Sequence, residues 1–465
     1  MVFKRHGTTT ANRTRRSETT KKQAKSTTTV QKPSTRGPGI VRQAGAWLGS
    51  VTKITGTARW IGFLALGLSV FGVVMVGSAS LVPSLALYST PWHLLQMQVL
   101  FLLIGVAVAL VLARIDYHTW DRPSALIVCV GMAWLGLLAV KAVGPVIGGS
   151  RRWLPIMGFL FQPSEFAKLV VVVAVASFVS RYLKAKKSQG ALVICVLTLT
   201  APTALLVILE PDFGTGSIVA VIGLVALFAV GVSGRMLGML VTVGVALGGV
   251  YALIKPYTMQ RFLGFLHPGQ DLLGKNYQLH QSKIAIASGH LFGVGFGASK
   301  SKWGAIPNPH TDFIFSVIGE EFGLIGTCVL LALFGGLVWL AVRASLRAPD
   351  DFGSLLALGI ATWFGMQIFI NIASVVGLFP VTGVPLPMIS YGGTSMIADV
   401  MAVGLLINIA TFERKDVKKV QKVEAPRKSE LSGVRTSSHR SARDAKQLTS
   451  VGAPRASASR PRRTR

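Results

Sequence analysis

Hydrophobic residues in this chain fall into ten long runs joined by mostly short polar connections. The runs lie at about 61–82, 94–113, 124–143, 164–182, 191–209, 216–233, 236–254, 316–341, 353–373 and 393–412. A helix needs about 20 apolar residues to cross a bilayer. The pattern therefore predicts an all-α integral membrane protein, a polytopic bundle of about ten transmembrane helices. The Lys and Arg residues orient it. They sit in the second loop (Arg114, Arg122), the fourth (Arg181, Lys184, Lys186, Lys187), the sixth (Arg235) and the eighth (Arg343, Arg347), and are absent from the first, fifth and ninth. Cationic loops stay in the cytoplasm, so even loops and both termini are expected there and odd loops outside. The third and seventh loops keep Arg151, Arg152 and several lysines on the depleted side. Anionic substrate binding is one reason to retain them.

Composition alters this picture only at the ends. The net charge is +30 from 48 Lys and Arg against 18 Asp and Glu, yet 51% of residues are hydrophobic and 14% charged. Residues 1–59 hold 13 Lys and Arg against one acid, and residues 413–465 hold 16 against five, so 23 of the net charges lie in the tails. Three segments follow: a disordered basic cytoplasmic tail over 1–59, a membrane domain over 60–412, and a second such tail over 413–465. The tails suit anionic lipid head groups or a cytoplasmic partner. An ordinary soluble enzyme is excluded, and so is nucleic-acid binding, because the basic residues flank an oily body. Cys129, Cys195 and Cys328 all fall inside apolar runs, which reads as small buried hydrophobes with no metal-ligand or disulfide spacing. The polar N-terminus reads as lacking a cleavable signal peptide.

Six features carry candidate chemistry. The long extracytoplasmic loop between the seventh and eighth runs, 255–311, contains a helix-like stretch from Tyr277 to Ala287 with Gln281, Ser282 and Lys283, suited to the outer membrane surface. Loops of that length are usually functional. The third loop carries Arg151-Arg152-Trp153 and then Gln162-Pro163-Ser164-Glu165-Phe166-Ala167-Lys168. Ser164 reads as an N-cap, and Glu165 and Lys168 share a helix face; this is either a local ion pair or a basic, aromatic-flanked rim for a diphosphate or sugar. The turn Glu210-Pro211-Asp212-Phe213-Gly214-Thr215 holds two carboxylates, either solvated or functional. Asp312 lies where the long loop meets the eighth run, half-removed from water, which raises a carboxyl pKa toward that of a general base; Glu320 and Glu321 follow as structural caps or partners. The stretch Gly377 to Ser395 has too many prolines and glycines for a helix, and such backbone at membrane depth must be buried or line a polar cavity. Lys141 and Asp399 fall within spans, each suited to an ion pair with the other or with a neighbour.

The runs Gln162–Leu169, Pro211–Thr215, His310-Thr311-Asp312-Phe313-Ile314-Phe315 and Pro385-Leu386-Pro387-Met388-Ile389-Ser390-Tyr391-Gly392-Gly393 together resemble the signatures of the SEDS family (shape, elongation, division and sporulation). Their order and the ten-run layout agree over about 60–412. Ile318-Gly319-Glu320-Glu321 and the long basic tails look more like the FtsW-like division branch than the RodA-like elongation branch. The resemblance implies a peptidoglycan glycosyltransferase of the bacterial cytoplasmic membrane, placed at the septum. It would polymerise lipid II into a growing glycan strand beside a class B penicillin-binding protein and other division proteins. It passes the role of the essential aspartate to Asp312. It matches family positions to Arg152, Trp153, Glu165 and Lys168, and with them Arg151, Asp212, Gln281, Ser282, Lys283, His310, Thr311, Ser390, Gly392 and Gly393 are candidate substrate-binding residues. One departure stands out: many members carry an acid before the motif, where this chain has Pro307-Asn308-Pro309, which leaves one base. One base suffices, because an undecaprenyl diphosphate departs without protonation while the acceptor hydroxyl must lose its proton. Arg152, with Lys168 or Lys283, would stabilise the diphosphate. The chemistry leaves room there for a divalent cation, Mg or Mn, although no run of residues forms a dedicated metal cage. Two other functions fit the same motifs: a lipid II flippase, and a non-catalytic division scaffold.

Overall fold

The computed structural model describes residues 56–412 except 148, 157, 186–187 and 268–275. The two basic tails lie outside the described residues. Among the described residues twelve α-helices follow one another: α1 (Gly56–Tyr88), α2 (His93–Leu112), α3 (Pro123–Val143), α4 (Pro163–Ala185), α5 (Gln189–Leu209), α6 (Phe213–Ala229), α7 (Gly234–Ile254), α8 (Pro256–Leu266), α9 (Tyr277–Ser288), α10 (Ile314–Arg347), α11 (Asp351–Val376) and α12 (Thr394–Thr411). Ten of them coincide with the ten apolar runs. Among the described residues nine are long and apolar enough to span a bilayer; α6, with 17 residues, is shorter. The architecture is an all-α membrane bundle. The strands β1 (Leu154–Ile156) and β2 (Phe159–Phe161) form a small antiparallel hairpin in the third loop.

Helices α4, α11 and α12 form the interior, and α6 packs against α4, α5 and α11. Helix α7 has no buried residue at all. An apolar helix can stand that far out because lipid tails solvate its side chains as well as protein does. Cys129 and Cys195 are partly exposed and Cys328 is exposed, a correction to the expected burial with the same cause: apolar runs have lipid-facing sides.

Helix α10 is not one rod. Thirty-four residues would span about 51 Å at 1.5 Å per residue, far beyond the roughly 30 Å of hydrocarbon. The helix breaks at Gly323 (φ 66°, ψ −165°). The segment His290–Gly295 lies along the break and restores its hydrogen bonds. Leu324 N–H donates to the His290 carbonyl at 2.9 Å and Ile325 N–H to that of Leu291 at 3.1 Å; in return Val294 N–H donates to the Glu320 carbonyl at 2.9 Å and Gly295 N–H to that of Glu321 at 3.1 Å. The approach requires glycine at 293, where a Cβ would sit 2.1 Å from the Glu321 carbonyl oxygen. Glu320 and Glu321 are structural partners, as the sequence allowed. Glu320 accepts from Ser299 Oγ (2.6 Å) and Lys300 N–H (2.9 Å), and Glu321 from Ser78 Oγ (2.7 Å) and Lys302 Nζ (3.2 Å). They tie the loop preceding Asp312 to α1 and α10.

Loops sort by parity. Arg152 of the third loop bonds carbonyls of the fifth, Arg261 of the seventh bonds the Val381 carbonyl of the ninth at 2.8 Å, and Tyr391 N–H of the ninth donates to His310 of the seventh at 2.8 Å. At the opposite end, Tyr117 of the second loop bonds Asp350 of the eighth, and Asn408 near the end of α12 bonds the carbonyls of Ala113 and Ile115 at 2.8 and 2.9 Å.

Candidate active site

Asp312 stands two residues before α10, on the end where odd loops meet, and is a partly exposed residue. Thr311 Oγ1 donates to its Oδ1 at 2.9 Å. Its main-chain carbonyl accepts from Asn371 Nδ2 at 2.9 Å, and the same amide donates to the Val384 carbonyl at 2.8 Å. One side chain on α11 thus fixes the aspartate against the ninth loop. A hollow of about 10 Å³ opens there, lined by Asp312, Asn371, Ser374 and Val381–Val384. Gly383, at a φ of +76°, lies between the two charged groups: a Cβ at that position would sit 3.7 Å from Arg152 Nη1 and 3.8 Å from Asp312 Oδ2. Burial pushes the Asp312 carboxyl above the ordinary range, while the Thr311 hydroxyl and the charges of Arg261 and Arg152 pull it back.

Arg152 is buried and held from behind. Its Nε donates to the Glu210 carbonyl at 3.3 Å, its Nη2 to the Pro211 carbonyl, and its Nη1 lies 3.8 Å from Asp212 Oδ2. Asp212 in turn caps α6 by accepting from Thr215 N–H at 3.1 Å. The guanidinium therefore clamps the third loop to the fifth, with Nη1 left toward the Gly383 hollow. Glu210 differs from its neighbour. It is buried, and neither carboxylate oxygen has a hydrogen-bond partner among the described residues. Burial, helped by the charge of Asp212, pushes its pKa up to about 9, against a smaller pull from Arg152 and Lys141. It is a neutral acid at neutral pH.

The non-helical ninth loop has its polar backbone met from the surrounding helices, as burial demands. Gln367 Nε2 donates to the Pro385 carbonyl at 3.0 Å, Ser374 Oγ to that of Pro380 at 3.0 Å, and Gln98 Nε2 to that of Ser390 at 3.3 Å. Asp399 Oδ2 accepts from Met388 N–H at 3.1 Å, and Ser390 Oγ from Leu386 N–H at 2.8 Å. His310 packs edge-on against Tyr391, with ring centroids 5.5 Å apart, and burial pushes its pKa down to about 4.

Other residues singled out from the sequence are scattered. Thr311, Arg152, Asp212 and His310 gather around Asp312 as described. Arg151 is exposed and reaches the Lys141 carbonyl at 3.5 Å, and Trp153 is half-buried. Glu165 and Lys168 form an internal ion pair of 2.8 Å, both fully buried, with Lys168 also bonded to Gln367 at 2.8 Å and stacked on Trp363. In this structure they face protein, not an open rim. Ser164 lies within the first turn of α4 and not at its cap: proline lacks an N–H and suits the first helical position, so the helix starts at Pro163. Ser282 is buried and bridges α9 to Ser316 (2.8 Å) and the Val375 carbonyl (2.7 Å). Gln281 is partly exposed; Lys283 is exposed, with its ammonium end over Gly377 at the C-terminus of α11, where a cation is favoured. Gly392 and Gly393 lead into α12, Gly393 against Phe101. Lys141 and Asp399 do not pair with each other: Lys141 donates to the Leu209 carbonyl at 3.0 Å, and Asp399 holds the ninth loop. The sequence reading missed Trp363, Gln367, Asn371 and Ser374. Their spacing of four, four and three places them on one face of α11, a signal visible in the run itself. It also missed Arg261, hidden among the cations of the long loop.

The family of cell cycle proteins typified by FtsW, RodA and SpoVE matches residues 59–415. Stage V sporulation protein E of Bacillus subtilis (strain 168) is 37% identical over 366 residues, which cover 78% of this chain and 99% of that relative. The probable peptidoglycan glycosyltransferase FtsW of Thioalkalivibrio sulfidiphilus is 38% identical over 347 residues, covering 74% of this chain and 87% of its own length. Among solved structures, a chain of a peptidoglycan synthase complex that coordinates polymerization and crosslinking aligns with a TM-score of 0.61 at 28% identity, over 77% of this chain and 98% of that one. Rod shape determining protein RodA of Thermus thermophilus aligns with a TM-score of 0.56 at 28% identity, over 77% and 97%.

Proposed function

The chain belongs to this FtsW, RodA and SpoVE family and is a peptidoglycan glycosyltransferase, and from that premise we propose that it polymerises lipid II at the outer face of the cytoplasmic membrane with Asp312 as the general base. The observation that carries the reading is the placement of Asp312, a partly exposed residue at the edge of the Gly383 hollow. It is oriented by Thr311 and Asn371, and one guanidinium nitrogen of Arg152 faces it across the Gly383 hollow. In the reaction, Asp312 takes the proton from the acceptor sugar 4-hydroxyl as that oxygen bonds to the donor anomeric carbon. The anomeric C–O bond to phosphate breaks with its electron pair. Undecaprenyl diphosphate leaves as an anion and needs no proton. Asp312 then releases its proton to water. A carboxyl raised by burial suits this role, because a base works best with a pKa near the operating pH. Arg152 Nη1 offsets charge developing on the diphosphate.

No three His, Cys, Asp or Glu side chains converge among the described residues. A Mg or Mn ion would therefore be held chiefly by the phosphate oxygens of the substrate, and no proton or bond passes through it here. A class B penicillin-binding protein is the proposed partner, by likeness to the synthase complex, and the FtsW-named relatives favour septal over side-wall synthesis.

The test is reconstitution. Purified with its transpeptidase and given lipid II, the wild-type chain should make glycan strands, and Asp312→Asn should make them at least about 100-fold more slowly. Strands from the variant at the wild-type rate would remove the mechanism. Translocation of lipid II with no polymerisation by wild type would replace it with a flippase. In cells the same variant should arrest septation; arrest of side-wall growth instead would assign elongation.

A further inference from the structure

A strip of aromatic rings starts two residues before Asp312. The His310 ring meets that of Tyr391 edge-on with centroids 5.5 Å apart, while the Tyr391 N–H donates to the His310 carbonyl at 2.8 Å. The strip continues at the first loop, where Tyr88 closes α1 and His93 opens α2. Those two rings are stacked, with centroids 4.0 Å apart and planes inclined by 24°. Two observations join the halves. Gln98 Nε2 of α2 donates to the Ser390 carbonyl at 3.3 Å, one residue before Tyr391. Burial, and after it the proximity of Tyr88, push the Tyr391 hydroxyl up to about 12.

The first loop is a built turn. Ser84 Oγ donates to the Thr90 carbonyl at 2.7 Å and accepts from Leu94 N–H at 3.4 Å, so one hydroxyl ties the end of α1 to the start of α2. Ser89 completes the turn in the left-handed region, at a φ of +56°. The rings are therefore set before a ligand arrives, which spares the ordering cost of binding. His93 covers one face of the Tyr88 ring, and Tyr88 is still 48% exposed. The loop carries no formal charge from acids, lysines or arginines, because no Asp, Glu, Lys or Arg occurs between Arg59 and Arg114. Arg152, across the Gly383 hollow, offers an anion its partner; an open ring in a loop without such charges suits a neutral sugar instead. The C–H face of a pyranose is apolar and slightly positive, and it lies well against the negative face of an aromatic ring.

We propose that Tyr88, His93 and Tyr391 form a sugar-binding strip that holds the 4-linked, N-acetylated glycan strand beyond the sugar pair reacting at Asp312. That the ligand is this strand rests on the polymerase reading. The strip gives the enzyme a hold on its product between successive additions, and so sets how long strands grow. Aromatic residues near a membrane surface have a second ordinary use, as anchors in the head-group layer. Trp92, 54% exposed in the same loop, is the control for that use.

The experiment uses the full chain in lipid nanodiscs and chitotetraose, a soluble, uncharged, 4-linked oligomer of N-acetylglucosamine, with binding read by saturation-transfer NMR and so independently of turnover. Wild type and Tyr88→Phe, which keeps the ring, should bind alike. Tyr88→Ala should bind about tenfold more weakly, as loss of a stacked ring predicts, and Trp92→Ala should bind as wild type does. With lipid II, Tyr88→Ala should make strands severalfold shorter and Tyr88→Phe should restore their length, a rescue that an anchoring role for the tyrosine hydroxyl would not give. A wild-type chain that binds no chitotetraose, a Tyr88→Ala chain that binds it as well as wild type, or an equal loss in Trp92→Ala would overturn the strip. Chitotetraose binding by a wild-type chain that makes no strands from lipid II would overturn the polymerase reading alone.

Discussion

Glu210 and Asp212 stand two residues apart in one turn and are held differently. Asp212 faces the Arg152 guanidinium and caps a helix, whereas the Glu210 carboxyl is buried without a hydrogen-bond partner among the described residues, with a pKa of about 9 against an ordinary 4.5. The linkage has a definite sign. The folded chain holds Glu210 neutral, so its contribution to stability is complete below about pH 4.5 and is lost as pH rises through about 9. Glu210→Gln keeps the neutral shape and removes that loss. Thermal melts in detergent should show the variant more stable than wild type at pH 8.5 and level with it at pH 4; a variant less stable at pH 8.5 would show that the carboxyl is ionised in the folded chain. His310 acts in the other direction: its folded pKa of about 4 lies below the ordinary 6.5, so its contribution is complete above 6.5 and lost as pH falls toward 4. The sequence was enough to single out Asp312, Arg152 and both carboxylates of this turn, because each is a charged residue at the edge of an apolar run. It did not separate Glu210 from Asp212, since the difference lies in which of them meets a guanidinium from another loop. Asn371 stayed hidden for a related reason. A lone amide inside an apolar run reads as a tolerated interruption until the carbonyls it serves, 13 and 59 residues away, are known.

Among the elements, all ten apolar runs became helices, and the long loop formed the expected helix at 277–288. The short helix α8 and the break in α10 were not foreseen. Glycine is frequent throughout these runs, so Gly323 looks no different from its neighbours. Its role depends on a segment 30 residues upstream that supplies two acceptors and two donors to the interrupted ladder. That pairing predicts a sharp sensitivity at Gly293. Alanine there meets the Glu321 carbonyl at 2.1 Å, backbone against backbone, from a φ of +84°. Gly293→Ala should lower the stability of the purified protein by more than about 2 kcal/mol, read as a fall in melting temperature of the full chain in detergent. An unchanged melt would mean that the segment does not lie against the break.

At the scale of the whole molecule, charge along the chain and contacts in space agree. The third, fifth, seventh and ninth loops meet at the Asp312 end, while Tyr117, Asp350 and Asn408 join elements at the other. With the positive-inside rule this supports the proposed placement of Asp312 at the outer face. In a chain whose three native cysteines are replaced by alanine, Arg151→Cys and Lys283→Cys should react with a membrane-impermeant maleimide on intact cells, and His118→Cys only after permeabilisation. The reverse pattern would invert the topology and take Asp312 away from its substrate. The ninth loop has one more consequence. Helix α11 grips it by the oxygens of Pro380, Val384 and Pro385, and a main-chain oxygen is common to every amino acid. The shape beside the aspartate is thus specified on the helix and not by the residues that form it. Evolution, or a designer, can retune the lining at Val381 or Thr382 for a different saccharide while Gln367, Asn371 and Ser374 preserve the mould.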